Sequence, residues 1–146
     1  MNTVTMILTY KNEAGTTTVY SKQMTGDLST NIESDVMAGS TTDAEFAVKI
    51  PFAKIQAIAI GCSKVPGTTS TPNPGSVALT VKTNTVADTG FTITPSNGYG
   101  WAVGDLNALK FTSDIEKFFI TAQQPTLPDV AASFFFTVRC LLDSSV

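Results

Sequence analysis

Apolar and polar residues alternate with a period of two along most of this chain, which is the pattern of strands that bury one face. The clearest segment is "SVALTVK", in which Val77, Leu79 and Val81 are separated by alanine and threonine. In "KIQAIAIGC", Ile58 and Ile60 alternate with small alanines. A helical period of 3.6 residues is hard to find. The pattern therefore predicts an all-β protein.

Clusters of glycine, proline and asparagine separate the alternating segments and are typical of turns and loops. They divide the chain into about eight to ten short strands, which predicts an antiparallel β-sandwich of Greek-key or jelly-roll topology. Three connections are long, namely 21–43, 63–75 and 121–131. The first of them is interpretable as a loop, an extra edge strand or a short helix. No linker divides the chain, so residues 1–146 are predicted to form a single β-sandwich domain.

The segment "AASFFFTVRCLLD" (131–143) predicts a strand whose two faces differ. One face is uniformly apolar and is predicted to enter the core; its members are Phe134, Phe136, Val138, Cys140 and Leu142. The other face contains Ser133, Phe135, Thr137, Arg139 and Leu141, a mixture closer to a protein interface than to an exposed face. Phe135, Arg139 and Leu141 are therefore candidate interface residues. Either a partner subunit or a loop of the same chain, such as 21–43, covers them.

Charge and composition exclude several classes of protein. Only 14% of the residues are charged, against about 25% in a typical globular protein, and the net charge is -3. The nine basic residues are spread from Lys11 to Arg139, so no stripe of charge is available for a nucleic-acid backbone. The first residues lack the pattern of a signal peptide, which predicts synthesis and retention in a cytoplasm. No apolar run reaches the roughly 18 to 20 residues of a membrane-spanning helix.

The residue types needed for catalysis or metal binding are scarce. The absence of histidine removes the commonest general base and a common zinc ligand. Cys62 and Cys140 form no metal-binding pair and are predicted to be free, buried thiols. Carboxylate pairs such as Asp114 and Glu116 have the spacing of one strand face, but acidic residues at strand ends are the more frequent explanation. The sequence therefore predicts no enzyme activity, no cofactor and no metal site.

An aromatic pair in "PSNGYGWAVGD" is the best candidate for binding a small ligand. Tyr99 and Trp101 are two residues apart, so a strand would place both on one face. Aromatic side chains on a β-sandwich stack on sugar rings in many carbohydrate-binding modules. A lone tryptophan in a sandwich more often fills the core. A carbohydrate-binding or receptor-binding module is therefore the alternative function.

Four segments in the second half of the chain carry a resemblance. They are "GSVALTVKTNT", "DTGFTITPSNGYGWAVGD", "FTSDIEKFFIT" and "FFFTVRCLLDSSV", between Gly75 and Val146. Together they resemble small β-sandwich virion structural proteins of tailed bacteriophages, of the capsid decoration type. The resemblance implies a protein of the virion that stabilises a capsid by repeated protein–protein contacts. It implies the major capsid protein or other virion subunits as partners, with homo-oligomers as a further state, and no catalytic residues.

Overall fold

The structure is a computed structural model that describes residues 2–12, 15–33, 37–38, 41–64, 78–123 and 133–143. These residues form ten β-strands and one 3₁₀ turn (Phe52–Lys54), without an α-helix among them. The strands are β1 (Asn2–Asn12), β2 (Gly15–Glu33), β3 (Met37–Ala38), β4 (Ala44–Ile50), β5 (Ile55–Lys64), β6 (Ala78–Thr83), β7 (Phe91–Ile93), β8 (Tyr99–Ala102), β9 (Ile115–Gln123) and β10 (Ser133–Leu142). The prediction of an all-β fold is confirmed.

The strands form two antiparallel sheets that pack against each other. The first sheet has the order β1-β2-β10-β5-β8, with β3 pairing beside the beginning of β10. The second sheet has the order β4-β9-β6-β7. Buried residues from both sheets belong to one core cluster, so the predicted antiparallel β-sandwich is confirmed.

The residues that alternation assigned to the core do face the space between the sheets. In β5 and β6, Ile58, Ile60, Leu79 and Val81 are at most 2% exposed. Burying each such side chain stabilises the fold by about 1.5 to 3 kcal/mol relative to leaving it exposed. Val77 lies outside the described residues. For β9, where either alternation was acceptable from the sequence, the structure buries Phe118 and Ile120 completely.

A chain of aromatic rings crosses the core from β4 to β8. Ring centroids are 5.9 Å apart for Phe46 and Phe136, 5.8 Å for Phe136 and Phe118, 6.5 Å for Phe118 and Phe111, and 5.7 Å for Phe111 and Tyr99. The last three contacts are edge to face, a favourable arrangement of two ring quadrupoles. The rings therefore join both sheets and the connection between β8 and β9.

The described residues of 21–43 form mainly strand, and β2 lies between β1 and β10, not at an edge of the sheet. β2 continues to Glu33, and β3 follows at Met37–Ala38. The polar sequence of β2 is held in a strand by its neighbours, because residues 15–26 pair with β1 and residues 27–33 pair with β10. The predicted loops at 63–75 and 121–131 lie mostly outside the described residues, although β5 and β9 extend into their first residues.

Candidate interaction surface

The first sheet has an outer face, which points away from the second sheet and includes the outward residues of β10. Phe136, Val138 and Cys140 are buried in the core, so the residues between them are on the opposite side. The strand register then places small residues of β5 and β8 beside them. The described residues of this outer face are Phe135, Thr137, Arg139, Leu141, Ala57, Ala59, Gly61, Ser63, Gly100 and Ala102.

Small residues make the middle of the outer face shallow. Phe135 pairs with Ser63, and Arg139 pairs with Ala59, which in turn pairs with Gly100. A Cβ atom added at Gly61 or Gly100 would have no other atom within 4 Å. The packing of the described chain therefore does not require glycine at these two positions. The face can approach another surface closely.

The three predicted interface residues have different environments. Phe135 is half-buried and Arg139 is exposed. Arg139 forms neither of the salt bridges found among the described side chains. Both side chains therefore offer surface to a partner, and their role as interface residues stays a prediction.

Leu141 differs from this expectation because its own chain covers it. It is 3% exposed and packs in a small cluster with Ala57 and Ala102. The strand register shifts on both sides of Leu141, relative to β2 before it and relative to β5 after it. Such bulges reorient neighbouring residues. The expectation that Leu141 presents an apolar side chain to a partner is therefore not met.

The outer face of the second sheet is polar by comparison. Lys117 and Glu45 form a salt bridge with a Nζ to Oε1 distance of 2.8 Å, and Lys82 and Asp43 form another at 3.2 Å. The Lys117 ammonium also lies 5.8 Å from the ring centroid of the half-buried Phe119. Four charged groups of this face therefore form two ion pairs, as is common on a surface in contact with water.

Tyr99 and Trp101 do share one face of β8, as the sequence predicted. Tyr99 pairs with Ile60 and Trp101 with Ile58, so both aromatic residues lie on the inner side of the sheet. Each is half-buried and packs against the core cluster. The face that Tyr99 and Trp101 share is therefore the inner face of the sheet, which packs against the core.

The polar atoms of this aromatic pair bind the connection between β8 and β9. Trp101 Nε1 donates a hydrogen bond to the carbonyl oxygen of Asn107 over 3.0 Å. The Tyr99 hydroxyl accepts one from the amide of Lys110, also over 3.0 Å, and burial raises the pKa of Tyr99 above its ordinary value. The Lys110 ammonium lies 5.7 Å from the Phe91 ring centroid and 5.8 Å from that of Tyr99. A lysine of the chain therefore lies over the face of the Tyr99 ring.

Of the carboxylate pair Asp114 and Glu116, Asp114 has a structural role. Asp114 Oδ1 accepts a hydrogen bond from the amide of Phe52 over 2.8 Å. Asn84, at a φ of 60°, binds the same segment: its side chain donates to the carbonyl oxygen of Asp114 over 2.7 Å and accepts from the amide of Glu116 over 2.8 Å. These bonds tie β9 to the turn after β6, so they account for the polar residues there.

A shallow cavity of about 360 Å³ lies between the β6–β7 turn and the β8–β9 connection. Asp88 lines it, and its carboxylate already accepts hydrogen bonds from the amide and hydroxyl of Thr83, over 3.0 and 3.1 Å. These bonds, led by the one from the Thr83 amide, lower the pKa of Asp88.

Within the described residues, no group of three or more acidic or cysteine side chains is placed to hold a metal ion. Among the same described residues, no helix has the length and apolar character to cross a membrane.

Trp101 is expected to serve stability. Trp101→Ala should lower the free energy of unfolding by about 2 to 3 kcal/mol, somewhat less than the about 3 to 5 kcal/mol of a fully buried aromatic residue. Urea unfolding followed by circular dichroism measures this loss. Leu106→Ala is the matched control, because Leu106 lies in the connection that the Trp101 indole binds and is fully exposed. Equal stability of the Trp101 variant and the parent would show that the indole does not hold the sandwich edge.

Searches with family profiles, against curated proteins and against solved structures gave no match to this chain. Functional inference therefore depends on the surface itself and on the segments of sequence described above.

Proposed function

We propose that this protein has a structural role and works by assembly, with the outer face of the first sheet as its contact surface. The more specific role that we propose is a virion protein of the capsid decoration type. In that role it is made in the host cytoplasm and stabilises a shell by binding the major capsid protein or other virion subunits. Each contact is modest, and the symmetry of the shell repeats it many times.

The observation that carries the proposal is the contrast between the two outer faces of the sandwich. The second sheet presents two salt bridges among its described side chains, between Lys82 and Asp43 and between Lys117 and Glu45. Among its described side chains, which lie in β5, β8 and β10, the outer face of the first sheet presents a half-buried phenylalanine, small residues and one exposed arginine. A shallow face with an aromatic residue and an arginine, and with few charged groups, has the composition of the centre of a protein interface.

The virion role is further supported by the resemblance of the segments between Gly75 and Val146 to decoration-type proteins. It is also consistent with the low proportion of charged residues, 14%, and with the acidic net charge of -3. An acidic protein is better suited to the outside of a shell than to a surface that faces nucleic acid. The carbohydrate-binding alternative has less support, because Tyr99 and Trp101 use their polar atoms within the chain.

Phe135→Asp tests the contact surface. An aspartate at this half-buried strand position should cost about 1 kcal/mol of strand propensity and leave the protein folded. It should weaken binding to assembled capsids by at least about tenfold, since the carboxylate would be buried at the interface without a partner. Co-sedimentation with capsids that lack the protein measures the binding, and circular dichroism monitors the fold.

Phe119→Asp is the matched control for this experiment. Phe119 is also a half-buried phenylalanine on the outer face of a sheet, but the sheet is the second one. The control variant should bind capsids as the parent does. Equal loss of binding in the two variants would contradict the assignment of the first sheet as the contact surface, and an absence of binding by the parent would contradict the virion role.

A further inference from the structure

β4 lies at one edge of the second sheet. In the order β4-β9-β6-β7 it pairs with β9 on one side, and among the described strands it has no partner on the other side. Successive residues of a strand direct their amide and carbonyl groups alternately to its two sides, so about half of the backbone groups of β4 face the free edge. A row of such groups is a template for pairing with another strand.

The side chains of β4 alternate along the whole strand. Glu45, Ala47 and Lys49 are exposed, whereas Phe46 and Val48 are half-buried and pack against the core cluster. The register with β9 shifts after Ala47, but exposed and buried residues continue to alternate to the end of the strand. The edge strand therefore has one polar face and one apolar face, and its apolar residues are only partly covered.

We propose that two copies of this chain pair antiparallel through β4, with Ala47 of one copy opposite Ala47 of the other. In this register Glu45 faces Lys49 of the second copy, and the two-fold symmetry repeats this pair. Phe46 faces Val48 of the second copy in the same way. Opposite charges and apolar residues that lie directly across antiparallel strands stabilise the pairing.

The other registers with a two-fold axis inside 45–49 lack these charge pairs. Paired residues of antiparallel strands share a face, so a compatible axis passes through a residue and keeps the apolar face on the core side. An axis at Glu45 or at Lys49 places like charges opposite each other. An axis at Phe46 or at Val48 leaves both charges without an opposite partner within β4. The axis at Ala47 is therefore the favoured one.

Charge complementarity favours a second copy as the occupant of this edge. A lysine on an edge strand normally discourages pairing, because a partner has to neutralise it. Lys49 takes part in neither of the two salt bridges found among the described side chains. Glu45 binds Lys117 through Oε1 and stays half exposed, so its second oxygen can accept a hydrogen bond from Lys49 of the second copy. The inference does not depend on the virion role or on the outer face of the first sheet.

Charge reversal on each side of the proposed pair tests this register. Sedimentation of the purified parent at a series of concentrations should show a reversible dimer. Lys49→Glu and Glu45→Lys each bring like charges face to face twice, so each variant alone should raise the dissociation constant at least about tenfold. An equimolar mixture of the two variants should associate at least about tenfold more tightly than either variant alone. In the mixed dimer every facing pair again joins a carboxylate with an ammonium.

Lys110→Glu is the control for these variants. It makes the same change of net charge as Lys49→Glu at an exposed position of the connection between β8 and β9, and it should leave the association unchanged. Circular dichroism monitors the fold of every variant. A parent that is monomeric at every concentration would overturn the proposal. Single variants that associate as the parent does, or a mixture that associates no better than its components, would also overturn it.

Amide hydrogen exchange of the unchanged protein gives a second test that does not require a variant to fold. If β4 pairs with a second copy, its edge-facing amides, which are every second amide within 44–50, should exchange more slowly at high protein concentration than at low. Amides of β6, which lies between β9 and β7, should show a much weaker dependence. Protection of the edge amides that does not change with concentration would mean that the same chain covers this edge, and it would overturn the proposal.

Discussion

Replacing Phe136 by aspartate is expected to leave the protein unfolded at 25 °C. Phe136 is completely buried, with Phe118 and Phe46 rings on two sides. Loss of a core phenylalanine side chain costs about 3 to 5 kcal/mol, and an unpaired carboxylate in the core adds several more. The sum approaches the whole stability of a typical domain, about 5 to 15 kcal/mol. Far-UV circular dichroism should show loss of the strand signal.

Two further variants show whether unfolding is specific to a charge in the core. Phe136→Leu keeps an apolar side chain and should fold, with a loss of about 1 to 2 kcal/mol. Phe135→Asp introduces the same charge one residue away, on the outer face, and should also fold. If Phe135→Asp and Phe136→Asp unfold the protein equally, Phe135 is covered by its own chain, and the case for an assembly surface on β10 is lost.

Alkaline pH is expected to destabilise the protein through its two buried thiols. Burial raises the pKa of Cys62 to about 11 and that of Cys140 to about 12, whereas an unfolded cysteine has a pKa of about 8.5. Below pH 8 both states keep the protons, so the stabilising effect is fully present. Above about pH 9 the unfolded chain loses protons that the folded chain retains, so stability falls by up to about 1.4 kcal/mol per pH unit for each thiol. At pH 11 the expected loss is about 3 kcal/mol per thiol.

Urea unfolding at a series of pH values from 8 to 11 checks this expectation (the range is set by the thiol pKa values). The variant with both Cys62→Ala and Cys140→Ala is the control. It should be less stable than the parent at pH 8, because cavities form, but its stability should fall less steeply with pH. All other titratable groups are the same in both proteins, so the difference between the two slopes isolates the thiols. Identical slopes would contradict the assignment.

Strand alternation predicted much of the core because it is a local property. On β10, the assignment of Phe136, Val138, Cys140 and Leu142 to the core is confirmed. The length of β2 was not predictable in this way. Its second half, 27–33, lacks a regular apolar alternation and is held by β10, which lies more than a hundred residues later in the chain. Pairing over such a distance leaves no local pattern in the sequence.

The candidate site was predicted in part. Alternation assigned Phe135 and Arg139 to the face opposite the core, and it placed Tyr99 and Trp101 on one face. Two features depended on strand partners and were missed. Bulges beside Leu141 change its surroundings, and the pairing of Ala59 with Gly100 brings small residues together on the outer face. The sequence signal for these small outer residues was the alternation of small and large residues in β5.

The central position of β10 affects how the chain folds during its synthesis. β10 lies between β2 and β5 and is the last of the described strands to be made. Until it emerges, β2 and β5 have no partner between them, and the edge of the apolar strand β5 is open to pairing with other chains. The first sheet therefore closes late, through contacts between distant parts of the sequence, and such contacts form slowly. Newly made chains are consequently most prone to aggregate just before β10 is inserted.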